Sequence, residues 1–410
     1  MKFISLWLIV ALFVFSLVTY SQEQNVFSLD QLISLGLENS PLIHAEKQRM
    51  EAAQAAYSAS RSFQNPVFDY NRGTAKSYDG AVTRTTSGFS VSQQIENPFK
   101  RQFRIESWKK RWKAVEFSYE KVCNELKFNI KIQFYRILLL DQKRKIAKEN
   151  LQTIEEIHQL IKMRADLGEV KELEAIKLYV ETLKAQKDLN QIITEKQLAE
   201  ESLNRLLGNV LSPNFHLSGS LNHSTIPINE ESLIQQALSV QPVLKEKTME
   251  IEEVESIIRF MKWQRLPDLN LTGFSQRALD GKNTGFGVSF EIPLWNWKSP
   301  EIKEAMKKSQ QKSLELEALE MEVITEVKSR IRQLHLSTNT LELFSSGLLS
   351  QAEESLKIAE VSYKEGEVSL IDFLDSQRTY NSILLDFQEA LFLWNSDKAA
   401  LERAVGEEII

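Results

Sequence analysis

Histidine, cysteine and the carboxylates are the side chains most able to do chemistry, so their spacing is read first. His44, His158, His216, His223 and His335 are scattered along the chain, and Cys123 has no second thiol to pair with. A metal site needs such residues clustered at short spacings, and a disulfide scaffold needs more than one cysteine. No glycine-rich phosphate loop, nucleophile elbow or zinc-protease helix motif occurs. The abundant Asp and Glu read as solvated helix faces. No enzyme, cofactor or resident metal is expected. One acidic pair stands apart: Asp372 and Asp375 share one face of a helix, just inside its first turns. On their own they read as an acidic helix start, which the macrodipole favours.

The elements that must position such a pair are mostly helical. The chain has 410 residues, with only 14 Gly and 9 Pro, too few for a turn-rich all-β protein. Charged residues make up 26%, both signs are mixed, and the net charge of −6 offers no broad attraction for nucleic acid. A hydrophobic share of 42% is that of a folding chain. At the N-terminus Lys2 precedes an apolar run over 4–18, and Thr19-Tyr20-Ser21 supplies small residues for cleavage. Residues 1–21 are therefore expected to be a signal peptide, with no cysteine nearby to make a lipoprotein. No later stretch has the ~20 apolar residues of a membrane helix.

Proline is absent from 99–212 and from 301–410. Each stretch is expected to hold a long and a medium helix meeting at Gly168 or Gly366, since Pro breaks helices and Gly weakens them. Phe373, Tyr380, Phe387, Trp394 and Leu401 recur every seventh residue, with Leu384 and Leu391 between, as a coiled-coil seam requires. That column is core packing. The chain is also a duplication. Asn39-Ser40-Pro41, Asn65-Pro66, Val91-Ser92, Leu167-Gly168-Glu169-Val170 and Leu207-Gly208 return, in order, about 200 residues later as Val240-Gln241-Pro242, Leu266-Pro267, Val288-Ser289, Glu365-Gly366-Glu367-Val368 and Val405-Gly406.

Each half has one plan. The first repeat, 22–208, is predicted to run short helix, helix, β-hairpin 67–95, long helix 100–167 and helix 169–207. After a linker at 209–228, the second repeat, 229–410, runs short helix, helix, β-hairpin 268–294, long helix 301–365 and helix 367–405. At about 1.5 Å per residue each long helix would reach roughly 100 Å. The two shorter helices of a repeat, laid end to end, match that length. Phe286, Val288, Phe290 and Ile292 alternate with Gly287, Ser289 and Glu291, giving one apolar and one polar strand face. The strands are long enough to cross a bilayer at a tilt, yet four strands cannot close a barrel and open edges are not tolerated in lipid. Three copies would supply twelve. Phe68, Tyr70, Phe99, Trp295 and Trp297 near the strand ends would suit interfacial girdles.

The duplication, the hairpin in each half and the two helical tips resemble the TolC-like outer-membrane efflux proteins, also called outer membrane factors. The most specific segment is Tyr363-Lys-Glu-Gly366-Glu-Val-Ser-Leu-Ile-Asp372-Phe-Leu-Asp375-Ser-Gln, which resembles the family's tip motif. Ile95-Glu-Asn-Pro98-Phe99 and Ile292-Pro293-Leu294-Trp295 resemble its strand-to-helix joints. The resemblance covers about residues 28 to 406. It implies a mainly α fold with a small β part: coiled-coil hairpins forming a periplasmic α-barrel, and four strands per chain in a trimeric twelve-stranded transmembrane β-barrel. It implies a homotrimer in outer-membrane lipid, passing cargo outward with a periplasmic adaptor and an inner-membrane pump, in tripartite efflux or type I secretion.

In that family the two acidic motif positions, here Asp372 and Asp375, ring the pore entrance. An acidic residue at the Glu174 position helps latch the closed tip, partnered by Tyr and Arg. Tyr363 holds the Tyr position, whereas Val368 stands where the Arg would be. The turns at Gly168 and Gly366 are the expected adaptor contact. The alternative, a periplasmic coiled-coil adaptor or structural protein of an envelope complex, accounts for helices and export but not for two strand pairs in a full-length duplication. The cargo class is not legible.

Overall fold

A computed structural model describes residues 26–213, 215–224 and 227–409; the expected signal peptide lies outside the described residues. The chain folds into two compact units, each drawing on both halves of the sequence. One comprises the described residues up to His44 with 122–237 and 325–410, and the other comprises 45–121 and 238–324. The elements in chain order are β1 (Val26–Phe27), α1 (Leu29–Asn39), α2 (Pro41–Ser60), β2 (Val67–Lys76), β3 (Thr83–Ile95), α3 (Pro98–Asp166) and α4 (Glu172–Leu206). They continue with β4 (His216–Leu217), α5 (Glu230–Val240), α6 (Pro242–Trp263), β5 (Leu269–Arg277), β6 (Lys282–Phe290), α7 (Ser299–Leu343), a π-helical turn (Phe344–Leu348), α8 (Leu349–Glu365) and α9 (Leu370–Val405).

The second unit carries an antiparallel sheet of order β2-β3-β5-β6, so the two hairpins join through β3 and β5. The register places Phe68, Tyr70, Phe89, Val91, Leu269, Leu271, Phe286, Val288 and Phe290 on one face and Asp69, Asn71, Ser90, Ser92, Asn270, Thr272 and Ser289 on the other. Every one of those apolar side chains is exposed, Phe286 to 87%. β2 and β6 are edges. Where strand gives way to helix, Asp268 accepts bonds from Lys100 Nζ, from the Asn97 amide (3.0 Å) and from Gln94 Nε2 (2.8 Å). Burial pushes that carboxyl up, but the donors outweigh it and hold it below the usual range. Nearby, Arg104 grips Glu96 with two nitrogens, at 2.9 and 2.6 Å.

The first unit is a helical packing of both repeats. Ser28 and Gln31 form a capping box that starts α1, and β1 pairs in parallel with β4. In the seam of α9, Phe373, Trp394 and Leu401 are buried and Tyr380 and Phe387 partly so, with Trp394 Nε1 donating to Thr338 Oγ1 at 3.1 Å.

The structure departs from the sequence reading in several boundaries. α4 begins at Glu172 rather than 169, and α9 at Leu370 rather than 367. β6 stops at Phe290, leaving Ile292 beyond it, because Pro293 has no amide to continue a ladder. The largest difference is in the second long helix. α3 runs 69 residues unbroken, whereas the expected helix 301–365 is split at Phe344–Leu348, where Gly347 adopts φ 130°. Only glycine takes that conformation readily. Ser345 and Ser346 also turn their hydroxyls back onto the Leu341 and Leu343 carbonyls, at 3.2 and 2.9 Å. A Gly/Ser cluster of this kind is a common cause of a kink.

Candidate functional site at the hairpin tips

The α3–α4 and α8–α9 hairpins turn alike. Gly168 and Gly366 have φ 77° and 80°. The Glu169 and Glu367 amides reach back to the Arg164 and Ser362 carbonyls, each at 2.9 Å, which closes the last turn as a Schellman motif does. A Cβ at either glycine would meet no atom within 4 Å, so glycine is required by backbone conformation and not by space.

The two hairpins share one small core. Ile161 of α3, Leu178 of α4 and Leu370, Phe373 and Leu374 of α9 are buried together, with Leu356 and Ala359 of α8 against them. The Tyr363 ring stacks on Phe373 at 5.5 Å between centroids. Burial pushes the Tyr363 phenol up; the nearby Glu174 carboxylate pushes the same way, and Arg164 opposes both. Among the described residues no hydrogen bond joins Glu174 to Tyr363, the pair that the family resemblance implies. Glu174 lies in the first turn of α4, whose N-cap residue, Lys171, makes no side-chain cap.

Asp372 and Asp375 are both exposed, one turn apart on α9. Asp372 is the third residue of the helix, and its Oδ2 accepts from the Ser369 hydroxyl (2.7 Å) and amide (3.1 Å) in a capping box. Those bonds hold its carboxyl below the usual range. Asp375 has no such partner among the described residues, and it faces solvent with its charge uncompensated. One carboxylate thus caps the helix, and both are presented to solvent.

The sequence reading missed the contacts that fasten α9 to the opposite hairpin. Asn150 on α3 accepts from Gln377 and Asn381, and Glu181 on α4 meets Arg378. The only signal was polar Gln377 and Asn381 continuing the buried face that starts at Phe373.

An "Outer membrane efflux protein" family model matches residues 32–209 and again 233–407, one match per repeat. The cobalt-zinc-cadmium resistance protein CzcC of Cupriavidus metallidurans is 20% identical over 357 residues, covering 86% of this chain and 83% of CzcC. The outer membrane protein VceC of Vibrio cholerae superposes with a TM-score of 0.76 at 17% identity, covering 93% of this chain and 97% of VceC. The open state of the Neisseria gonorrhoeae MtrE outer membrane channel gives a TM-score of 0.77 at 15% identity, covering 93% and 89%.

Proposed function

From the chain's membership of the outer membrane efflux protein family, which makes it an efflux channel component, we propose that it is the outer-membrane conduit of a tripartite efflux or type I secretion assembly. Three copies close their four-stranded sheets into one twelve-stranded barrel, and the helices extend the passage into the periplasm. The observation that carries this reading is the sheet: an exposed apolar face, a mostly polar opposite face and two open edges. Leu173, Ile176, Val180 and Leu183 of α4 are likewise exposed at coiled-coil spacing, a seam suited to a helix of another copy. Residues 1–21 serve as a cleaved signal peptide. CzcC is named for cobalt, zinc and cadmium resistance, so divalent metal cations are the cargo to test first. The purified protein is expected to run as a detergent-stable trimer from the outer-membrane fraction. A soluble periplasmic monomer would overturn the reading.

The turns at Gly168 and Gly366 are the proposed contact for the periplasmic adaptor, which in turn meets the inner-membrane pump. Valine at either position forces a side chain into the left-handed region, at a cost of about 1–2 kcal/mol. Gly168→Val and Gly366→Val are expected to weaken adaptor binding in pull-down while trimers still insert. Loss of insertion in both variants would place these turns outside the docking surface.

A further inference from the structure

The strand register lines up a charged row across the sheet. Arg72 of β2 lies opposite Ser87 of β3, Ser87 opposite Arg277 of β5, and Arg277 opposite Lys282 of β6. The three cations share the face of Phe68, Leu269 and Phe286, since each stands an even number of residues from the apolar side chain on its own strand. All three are exposed, and among the described residues none makes an ion pair. Other cations of this unit are engaged. On the opposite face Arg84 donates to the Leu279 carbonyl at 3.1 Å. Where strands meet helices, Lys100, Arg104 and Lys298 are each paired with a carboxylate. Arg277 directly opposite Lys282 is a like-charge pair, which weakens a sheet. An anion held between these side chains would offset that cost.

The row also sits at a defined depth. β5 spans nine residues from Leu269 to Arg277, about 27 Å at ~3.4 Å per step. At the ~40° tilt of a barrel strand this is about 21 Å of depth, close to the ~25 Å height of an apolar barrel band. Tyr70 and Phe89 pair just inside the cations, where aromatic side chains meet a membrane border. Both hairpin turns, 77–82 and 278–281, lie beyond the row, at the end of the sheet away from the helices. The chemistry that fits three cations at the edge of an apolar band is a phosphate joined to acyl chains. The chains lie along the phenylalanines, and the phosphate oxygens accept paired N–H bonds from the guanidiniums.

We propose that Arg72, Arg277 and Lys282 bind the phosphates of an acylated, phosphorylated lipid in the outer leaflet, with its chains against the apolar face below them. The proposal rests on the channel reading, which turns the hairpin ends outward.

The test titrates full-length trimers in detergent with lipid A carrying both phosphates, and counts bound lipid by native mass spectrometry. Arg72→Gln, Arg277→Gln and Lys282→Gln together are expected to weaken binding at least about tenfold. Lipid A stripped of its phosphates is expected to bind wild type as weakly as intact lipid A binds the triple variant. Equal binding by wild type and triple variant would overturn the proposal, and so would equal binding of the two lipids. Displacement of the lipid by millimolar inorganic phosphate would overturn it too, by reducing the row to a site for a free anion. Should the triple variant fail to trimerise, Arg277→Gln alone, which relieves the like-charge pair, is read by the same criteria. Failure of the channel reading is distinguishable: wild type would then not come as a trimer from the outer-membrane fraction. Failure of this proposal leaves that trimer intact, with no preference for phosphorylated lipid.

Discussion

Arginine at Phe286 and Phe290 is expected to stop the protein from inserting and trimerising, while arginine at Ser289 is expected to leave both intact. The three residues lie on one strand, β6, and differ in face: Phe286 and Phe290 pair with Gly273 and Leu269 on the apolar side, and Ser289 pairs with Asn270 on the polar side. If the apolar side meets lipid, each arginine there costs about 2–4 kcal/mol near the bilayer midplane, and less towards its borders. A marginally stable fold does not absorb two such losses. On the polar side the same charge faces water and would alter only conductance. Heat-modifiable trimer on gels and outer-membrane fractionation read the outcome. Normal insertion of the Phe286→Arg, Phe290→Arg double variant would mean that this face is not the lipid face.

The second large effect is expected at the acidic pair. Asp372→Asn with Asp375→Asn removes both charges but leaves an amide oxygen able to accept from Ser369, so the start of α9 keeps its cap. Six carboxylates from three copies around a narrow opening would make a negative potential that concentrates cations. The double variant is expected to raise the concentration of a di- or trivalent cation needed for half-block of single-channel current by at least about tenfold. Trimer assembly should be unchanged. Cation block equal to wild type in that variant would return both residues to a purely helix-starting role.

How much of this was legible depended on whether the determining interaction was local. Alternation in 286–292 exposed the two-faced strand, because a side-chain period of two is written directly into neighbouring residues. The helix stops at Gly168 and Gly366 were equally plain, since a left-handed residue after a long proline-free run has few other uses. The break at Gly347 was not. A single glycine inside a helical pattern is compatible with an unbroken helix, and what tips the balance is the back-bonding of Ser345 and Ser346 together with it. The grip on α9 was illegible for another reason: Asn150 and Gln377 are far apart in sequence, and nothing near either residue announces the other. The same holds for Glu181 and Arg378. Tyr363 and Glu174 were paired only by the family resemblance; in the structure the Tyr363 ring is committed to Phe373.

The open edges of the sheet have a consequence for how the molecule is made. β3 can meet β5 only after the whole of α3, α4, α5 and α6 has been synthesised between them, so the central pairing is a late, long-range event. Even then β2 and β6 still present unpaired amides and carbonyls. Under the trimeric reading, those groups are satisfied only by sister chains, and the last step of folding is a collision between molecules rather than a rearrangement within one. The yield of finished protein would then rise steeply with the local supply of newly exported chains. A slow trickle would leave sticky strand ends waiting in the periplasm, exposed to proteases and to each other.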